Sequence, residues 1–212
     1  VYTPRQDSLT NSLINKANIQ LHIDGGATVE SYSTIKGGLQ DDIRMEAAML
    51  SKDDFQKNFR ENQKLSNFSI EKLDTEVNKN QPIVSLSYKI KVEKYASKAG
   101  NRLFVPINLL NVFDKVPAPV ENRHLPINTG NKEYIEQLEY VFMIPEGFSV
   151  ESIAGSKTEL HSKYGDYTSI VDSVLNAKNI SLLTFIQEYN LTDFYANIKE
   201  QFCPISHNAI EY

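Results

Sequence analysis

From Ile83 to Val92 apolar and polar residues alternate: Val84, Leu86, Tyr88, Ile90 and Val92 fall on one side, Ser85, Ser87, Lys89 and Lys91 on the other. A period of two is a strand period, and a strand wet on one face belongs to an antiparallel sheet with one solvated side. This stretch commits the chain to a β architecture. Shorter versions of the pattern recur along the sequence. Ile19, Leu21 and Ile23 alternate with Gln20, His22 and Asp24, and Asp24-Gly25-Gly26 turns the chain into a return over Thr28–Ile35. Phe68–Leu73 reads as a short strand before the Asn78-Lys79-Asn80 turn. In the second half Tyr134–Ile144 carries Leu138, Tyr140, Phe142 and Ile144 on one face. Pro145-Glu146-Gly147 then turns the chain into a short return over Phe148–Ile153. Thr168–Leu175 and Ile180–Tyr189 flank Asn176–Asn179 as a second hairpin.

Helical signals are few. Asp41–Leu50 is rich in helix formers, with Ile43, Ala47 and Leu50 on one face. Ser51 caps a second helix that carries Asp53 and Asp54 in its first turn and Phe55 and Phe59 one turn apart. A third starts at Thr192-Asp193, bears Phe194, Ile198 and Phe202, and stops at Pro204, before a last strand over Ile205–Tyr212. With no βαβ alternation, the expected fold is mainly β: an antiparallel β-sandwich, immunoglobulin-like or similar, in two strand-rich halves with a few short helices. Its expected parts are an opening segment 1–16, a β-rich half 17–101 with a helical insertion, and a sandwich half 102–212 with a C-terminal helix. Between the halves lies Arg102–Asn128. Its apolar start, with Leu103, Val105, Ile107, Leu109 and Leu110, reads as a buried core strand, and Pro117, Pro119 and Pro126 then make it a crossover.

Composition removes several classes of function. With 212 residues the chain is long enough for a real core. A formal net charge of −5, without a Lys/Arg stripe interleaved with aromatics, argues against a nucleic-acid surface. No apolar run has the length of a membrane-spanning helix. The chain opens VYTPRQDSLTNS, with neither an initiator Met nor a signal peptide, and is expected to be a processed or excised piece of a longer product.

The residues that could carry chemistry do not gather into a motif. Cys203 is the one thiol, so there is no disulfide framework. It falls at the end of its expected helix, where the dipole disfavours a thiolate, and it reads as a structural cysteine. His22, His124, His161 and His207 form no HxH, HExxH or HxxxH pair, and His22, two residues from Asp24, reads as part of a solvated strand face. Asp114, Glu121, Glu136 and Glu139 offer carboxylates for a glycosidase-type pair, but without a spacing that fixes one. Gly25-Gly26 and Gly37-Gly38 are no phosphate loop, since Asp41 and Asp42 would repel a phosphate at the helix that follows the second pair. No catalytic, cofactor-binding or metal residue is assigned, and no cofactor is expected.

The order of several segments carries a resemblance. These are Ile19–Gly25 (IQLHIDG), Gly38–Arg44 with the helix at Ser51, the strand Val84–Val92 and Leu103–Leu110 (LFVPINLL). Asn122-Arg123 with Leu125-Pro126-Ile127, Ile144–Phe148 (IPEGF) with Val150-Glu151, and Tyr195–Phe202 follow. In this order, from about Ala17 onward, the chain resembles the C-terminal β region, a domain of unknown function, that follows the transglutaminase-like core in exported multidomain proteins of Gram-negative bacteria. The family's catalytic Cys, His and Asp belong to that core, and no segment here matches their motifs. The resemblance implies a non-catalytic accessory module, periplasmic or at the cell surface, that docks on an upstream transglutaminase- or peptidase-like core or on another protein. Such a module should show an uncovered apolar patch. Two other readings stay open: a stand-alone carbohydrate- or peptide-binding module using exposed Tyr32, Tyr134 or Tyr164, and a hydrolase using Cys203 or a carboxylate pair.

Overall fold

The computed structural model of the protein describes residues 10–107, 134–153, 157–162, 165–175 and 181–191. Its elements run β1 (Ser12–Leu21), β2 (Ala27–Lys36), a 3-10 turn (Gly37–Gln40), α1 (Asp41–Met49), α2 (Lys52–Asn62), β3 (Phe68–Val77) and β4 (Ile83–Val92). They continue as β5 (Ser97–Ala99), β6 (Arg102–Phe104), β7 (Tyr134–Met143), β8 (Lys157–Ser162), β9 (Gly165–Leu175) and β10 (Ser181–Leu191). The protein is mainly β. Eight strands form one mixed sheet in the order β3-β4-β2-β1-β7-β10-β9-β8, and β5 and β6 form a separate two-stranded sheet.

Every neighbouring pair in the large sheet is antiparallel except one. β1 and β7 run parallel, with Asn15 opposite Leu138 and Ile19 opposite Phe142. The expectation of a purely antiparallel sheet is therefore corrected at this seam. Four of the other pairs, β1–β2, β3–β4, β8–β9 and β9–β10, are hairpins, whereas β2–β4 and β7–β10 pair across intervening elements. The β1–β2 turn closes with the His22 amide donating to the Gly26 carbonyl at 2.9 Å, while Asp24 Oδ1 accepts from the Gly26 amide at 2.9 Å. Gly25 sits there at φ 91°, in the region that glycine alone enters freely.

One face of the sheet holds the core. Ile19, Val29 and Ile90 align across β1, β2 and β4, and all three are fully buried. Leu138, Tyr140 and Phe142 extend the same face onto β7. Each such side chain contributes about 1.5–3 kcal/mol by leaving water. Helix α2 covers the β3–β4 end. Ser51 Oγ accepts from the Asp54 amide at 3.2 Å and starts the helix, which brings Phe59 onto Tyr88 with ring centroids 5.0 Å apart. Tyr95, in the chain after β4, lies over Phe142 at 6.2 Å, and its hydroxyl donates to the Pro106 carbonyl at 2.9 Å. Burial holds that phenol above its ordinary pKa.

The structure changes several sequence-based boundaries. β1 starts at Ser12, inside the expected opening segment. β3 continues to Val77 because a bulge at Glu71 shifts its register, so Phe68 and Ile70 face inward before it and Leu73 after it. β8 was not expected at all. Phe148–Ile153 forms no strand. The expected core strand at the start of the crossover is only the three-residue β6; Leu103 is half-buried, and Val105 and Ile107 pack on the edge of the core. Leu109, Leu110, the rest of the crossover to Asn128, the third helix and the last strand lie outside the described residues.

Gly37 joins β2 to the 3-10 turn at φ 67°, and a Cβ there would meet the Thr10 carbonyl oxygen at 2.6 Å as well as Asn11 Oδ1. Asn11 Oδ1 accepts from the Gly38 amide at 2.7 Å, so the clash has no free space to relax into. Gly37→Ala is expected to destabilise the protein by roughly 1–3 kcal/mol, read from the urea midpoint.

Candidate functional site

At one end of the large sheet the described residues leave a partly open cleft of about 390 Å³. Its floor is Leu21 at the end of β1, Ile144 just beyond β7, and Val171 on β9. One wall is β6 and the chain after it, through Leu103, Val105 and Ile107. The other is the irregular stretch after β7, through Phe148, Val150 and Ile153. The sequence makes each wall for a definite reason. Pro145 accepts the Phe148 amide hydrogen at 3.1 Å and Gly147 takes φ 82°, which turns the chain back toward the sheet. On the other side, Tyr95 holds the Pro106 carbonyl and fixes the chain between Val105 and Ile107.

Arg102 and Glu151 join the walls across the rim, with Nη2 to Oε1 at 2.8 Å. Both side chains are about two-thirds exposed, so the pair is a solvated strap worth no more than about 1 kcal/mol. Phe104, next to the cleft, is 59% exposed. A concave apolar space of this size, with the Arg102–Glu151 ion pair at its edge, suits an apolar side chain or a short apolar segment. Among the described residues, Arg102 and Glu151 are the titratable side chains that line it.

The residues singled out from sequence are dispersed. His22 Nε2 lies 3.2 Å from Thr28 Oγ1 and Asp24 serves the Gly26 amide, so the two close a hairpin and do not share a site. His161 Nδ1 meets Asp166 Oδ1 at 2.8 Å on the exposed β8–β9 hairpin. Glu139 pairs with Lys16 at 2.6 Å on the wet face, whereas Glu136 is buried on the core face. Those two carboxylates point to opposite sides of β7 and cannot flank one bond. Tyr32 is 50% exposed, and its hydroxyl donates to Ser85 Oγ at 3.1 Å on the wet face. Tyr134 is half-buried. Cys203, His124, His207, Asp114, Glu121 and Tyr164 lie outside the described residues.

Among the described residues, no group of three or more His, Cys, Asp or Glu side chains could hold a metal ion, and no helix is long and apolar enough to cross a membrane. The cleft's residues are apparent in the sequence, but the cleft is not. Phe148, Val150 and Ile153 read as a strand, although the Pro-Glu-Gly turn beside them is the feature that makes a wall. No family model matches the chain, and no curated protein matches it.

Removing the strap by Arg102→Ala should change stability by less than about 1 kcal/mol in urea denaturation. Val105→Glu should place a charge against the cleft floor and abolish the fluorescence of a neutral solvatochromic dye bound there, while the dye persists on Arg102→Ala.

Proposed function

We propose that this chain is a non-catalytic accessory β module of an exported, transglutaminase- or peptidase-like protein, and that it works by docking its apolar cleft on an upstream core. The observation that carries this reading is the cleft, whose apolar walls are only partly covered while Phe104 stands exposed beside them. An uncovered apolar surface of this kind marks a contact site. The resemblance of segment order to the C-terminal β region of such proteins supplies the partner. It also supplies the location, the periplasm or the cell surface. A sheet that coils over its own core into a sandwich, immunoglobulin-like or similar, belongs to the same reading. It is supported by core packing that runs from Tyr88 on β4 to Val171 on β9. The carbohydrate- or peptide-binding alternative draws less support. Tyr32, 50% exposed, is bonded to Ser85 on the wet face and does not line the cleft.

The test is hydrogen exchange on the protein alone and after mixing with the transglutaminase-like core. Docking by the cleft predicts slowed exchange confined to residues 102–107 and 144–153, lost in Val105→Glu. Unchanged exchange there, or binding to a peptide or glycan array without any core, would overturn the reading.

A further inference from the structure

Two buried acceptors in the middle of the sheet have no donor among the described residues: Asn15 Oδ1 and Glu136 Oε1. Both side chains are 1% exposed. Asn15 Nδ2 donates to Ser31 Oγ at 2.8 Å and to Ser33 Oγ at 2.6 Å, both on β2. The amide hydrogens are thereby used on the β2 side, and amide geometry turns Oδ1 the other way, toward β7. There, Leu13 is opposite Glu136 and Asn15 is opposite Leu138. Asn15 and Glu136 are therefore diagonal neighbours on the core face of the parallel pair, a separation of about 7–8 Å between backbones that a glutamate spans.

Among the described residues, the strand positions of this row carry no positive charge. On the core face β1 offers Leu13 and Asn15, and β7 offers Tyr134, Leu138 and Tyr140 beside Glu136. Beyond β1, β2 offers Ile35, Ser33 and Ser31. On β10, Tyr189 is opposite Glu136 and Gln187 is opposite Leu138. Lys16 and Glu139 pair with each other on the other face. Apart from Glu136, the titratable residues in the row are tyrosines. A carboxylate here would set one bare acceptor beside another, each left without a bond in a dry environment. One proton removes both defects.

We propose that folded Glu136 is the neutral acid and donates its hydroxyl to Asn15 Oδ1, so that a single proton fastens the parallel seam between β1 and β7. Glu136 is then a pH-sensitive joint between the part of the sheet built from β1 to β4 and the part built from β7 to β10. Burial pushes its carboxyl from the ordinary 4.5 up to about 7. The sign follows from linkage. Between those values the folded protein keeps a proton that the unfolded chain has released. The stabilisation is complete below the unfolded pKa and is lost as pH rises through about 7. A shift of that size corresponds to roughly a 300-fold fall in the folding constant once pH is well above it.

The experiment is a carbon-13 NMR titration of the glutamate carboxyls in the wild-type protein, each assigned through its own backbone, so that no variant has to fold. The expected result is a Glu136 carboxyl that stays protonated at pH 5.5 and titrates near pH 7. Over the same range the urea midpoint of the wild type should fall, while that of Glu136→Gln, which keeps a donor for Asn15 at every pH, should stay level. A Glu136 that titrates like an ordinary carboxyl would overturn the proposal, because Asn15 would then be turned with its NH2 toward a carboxylate. So would an ionised Glu136 whose stabilisation depends on added sodium or calcium, which would mean that a cation lies between the two oxygens.

Discussion

The parallel pairing of β1 with β7 is the interaction on which the rest of the architecture depends. Without it the chain would hold two antiparallel units, β3-β4-β2-β1 on one side and β7-β10-β9-β8 on the other, each with a raw edge. With it, Ile19 and Phe142 stand side by side and the apolar face becomes continuous from β4 to β7. A parallel ladder is slightly weaker per residue than an antiparallel one. This seam therefore relies on what its side chains bury: Ala17 beside Tyr140, Ile19 beside Phe142, and Asn15 beside Leu138.

The same seam sets the position of the cleft. β1 ends at Leu21 and β7 at Met143, nearly level with one another, and both chains turn away there. Leu21 and Ile144 are left as a floor, and the chain after β6 and the chain after β7 rise as its walls. The cleft is thus an end-of-sheet feature, made where two connections leave the core. Its apolar content comes partly from strand residues, Leu21, Leu103 and Val171, and partly from Val105, Ile107, Phe148, Val150 and Ile153 in the two connections.

How much of this could be read from the residues depended on whether burial followed the simple alternation. β4 could be read to the residue because each inward position is apolar and, after Ile83, each outward one is polar. β1 could be read only from Ile19 onward, because its inward position at Asn15 is filled by an amide that bonds to Ser31 and Ser33. β3 lost its second half to the bulge at Glu71, which flips the phase of the pattern. β8 lies at the edge of the sheet with Leu160 as its one large apolar side chain, so there was no pattern to read. The parallel seam is a pairing between distant segments, and no local signal in either strand specifies its partner. The cleft was harder still, since it is made by two irregular connections meeting in space.

That seam also has a consequence for the order in which the chain can assemble. The Lys16–Glu139 ion pair across it joins residues separated by 123 positions, whereas β1, β2, β3 and β4 meet through hairpins and a short helical insertion. On a ribosome the first four strands can pair as soon as they emerge, but the free edge of β1 must wait until β7 has been synthesised. During that interval an apolar strand edge, with Ile19 and Leu21 on its inward side, is open to other chains. The demands on this protein during synthesis are therefore concentrated on one strand edge and one stretch of time.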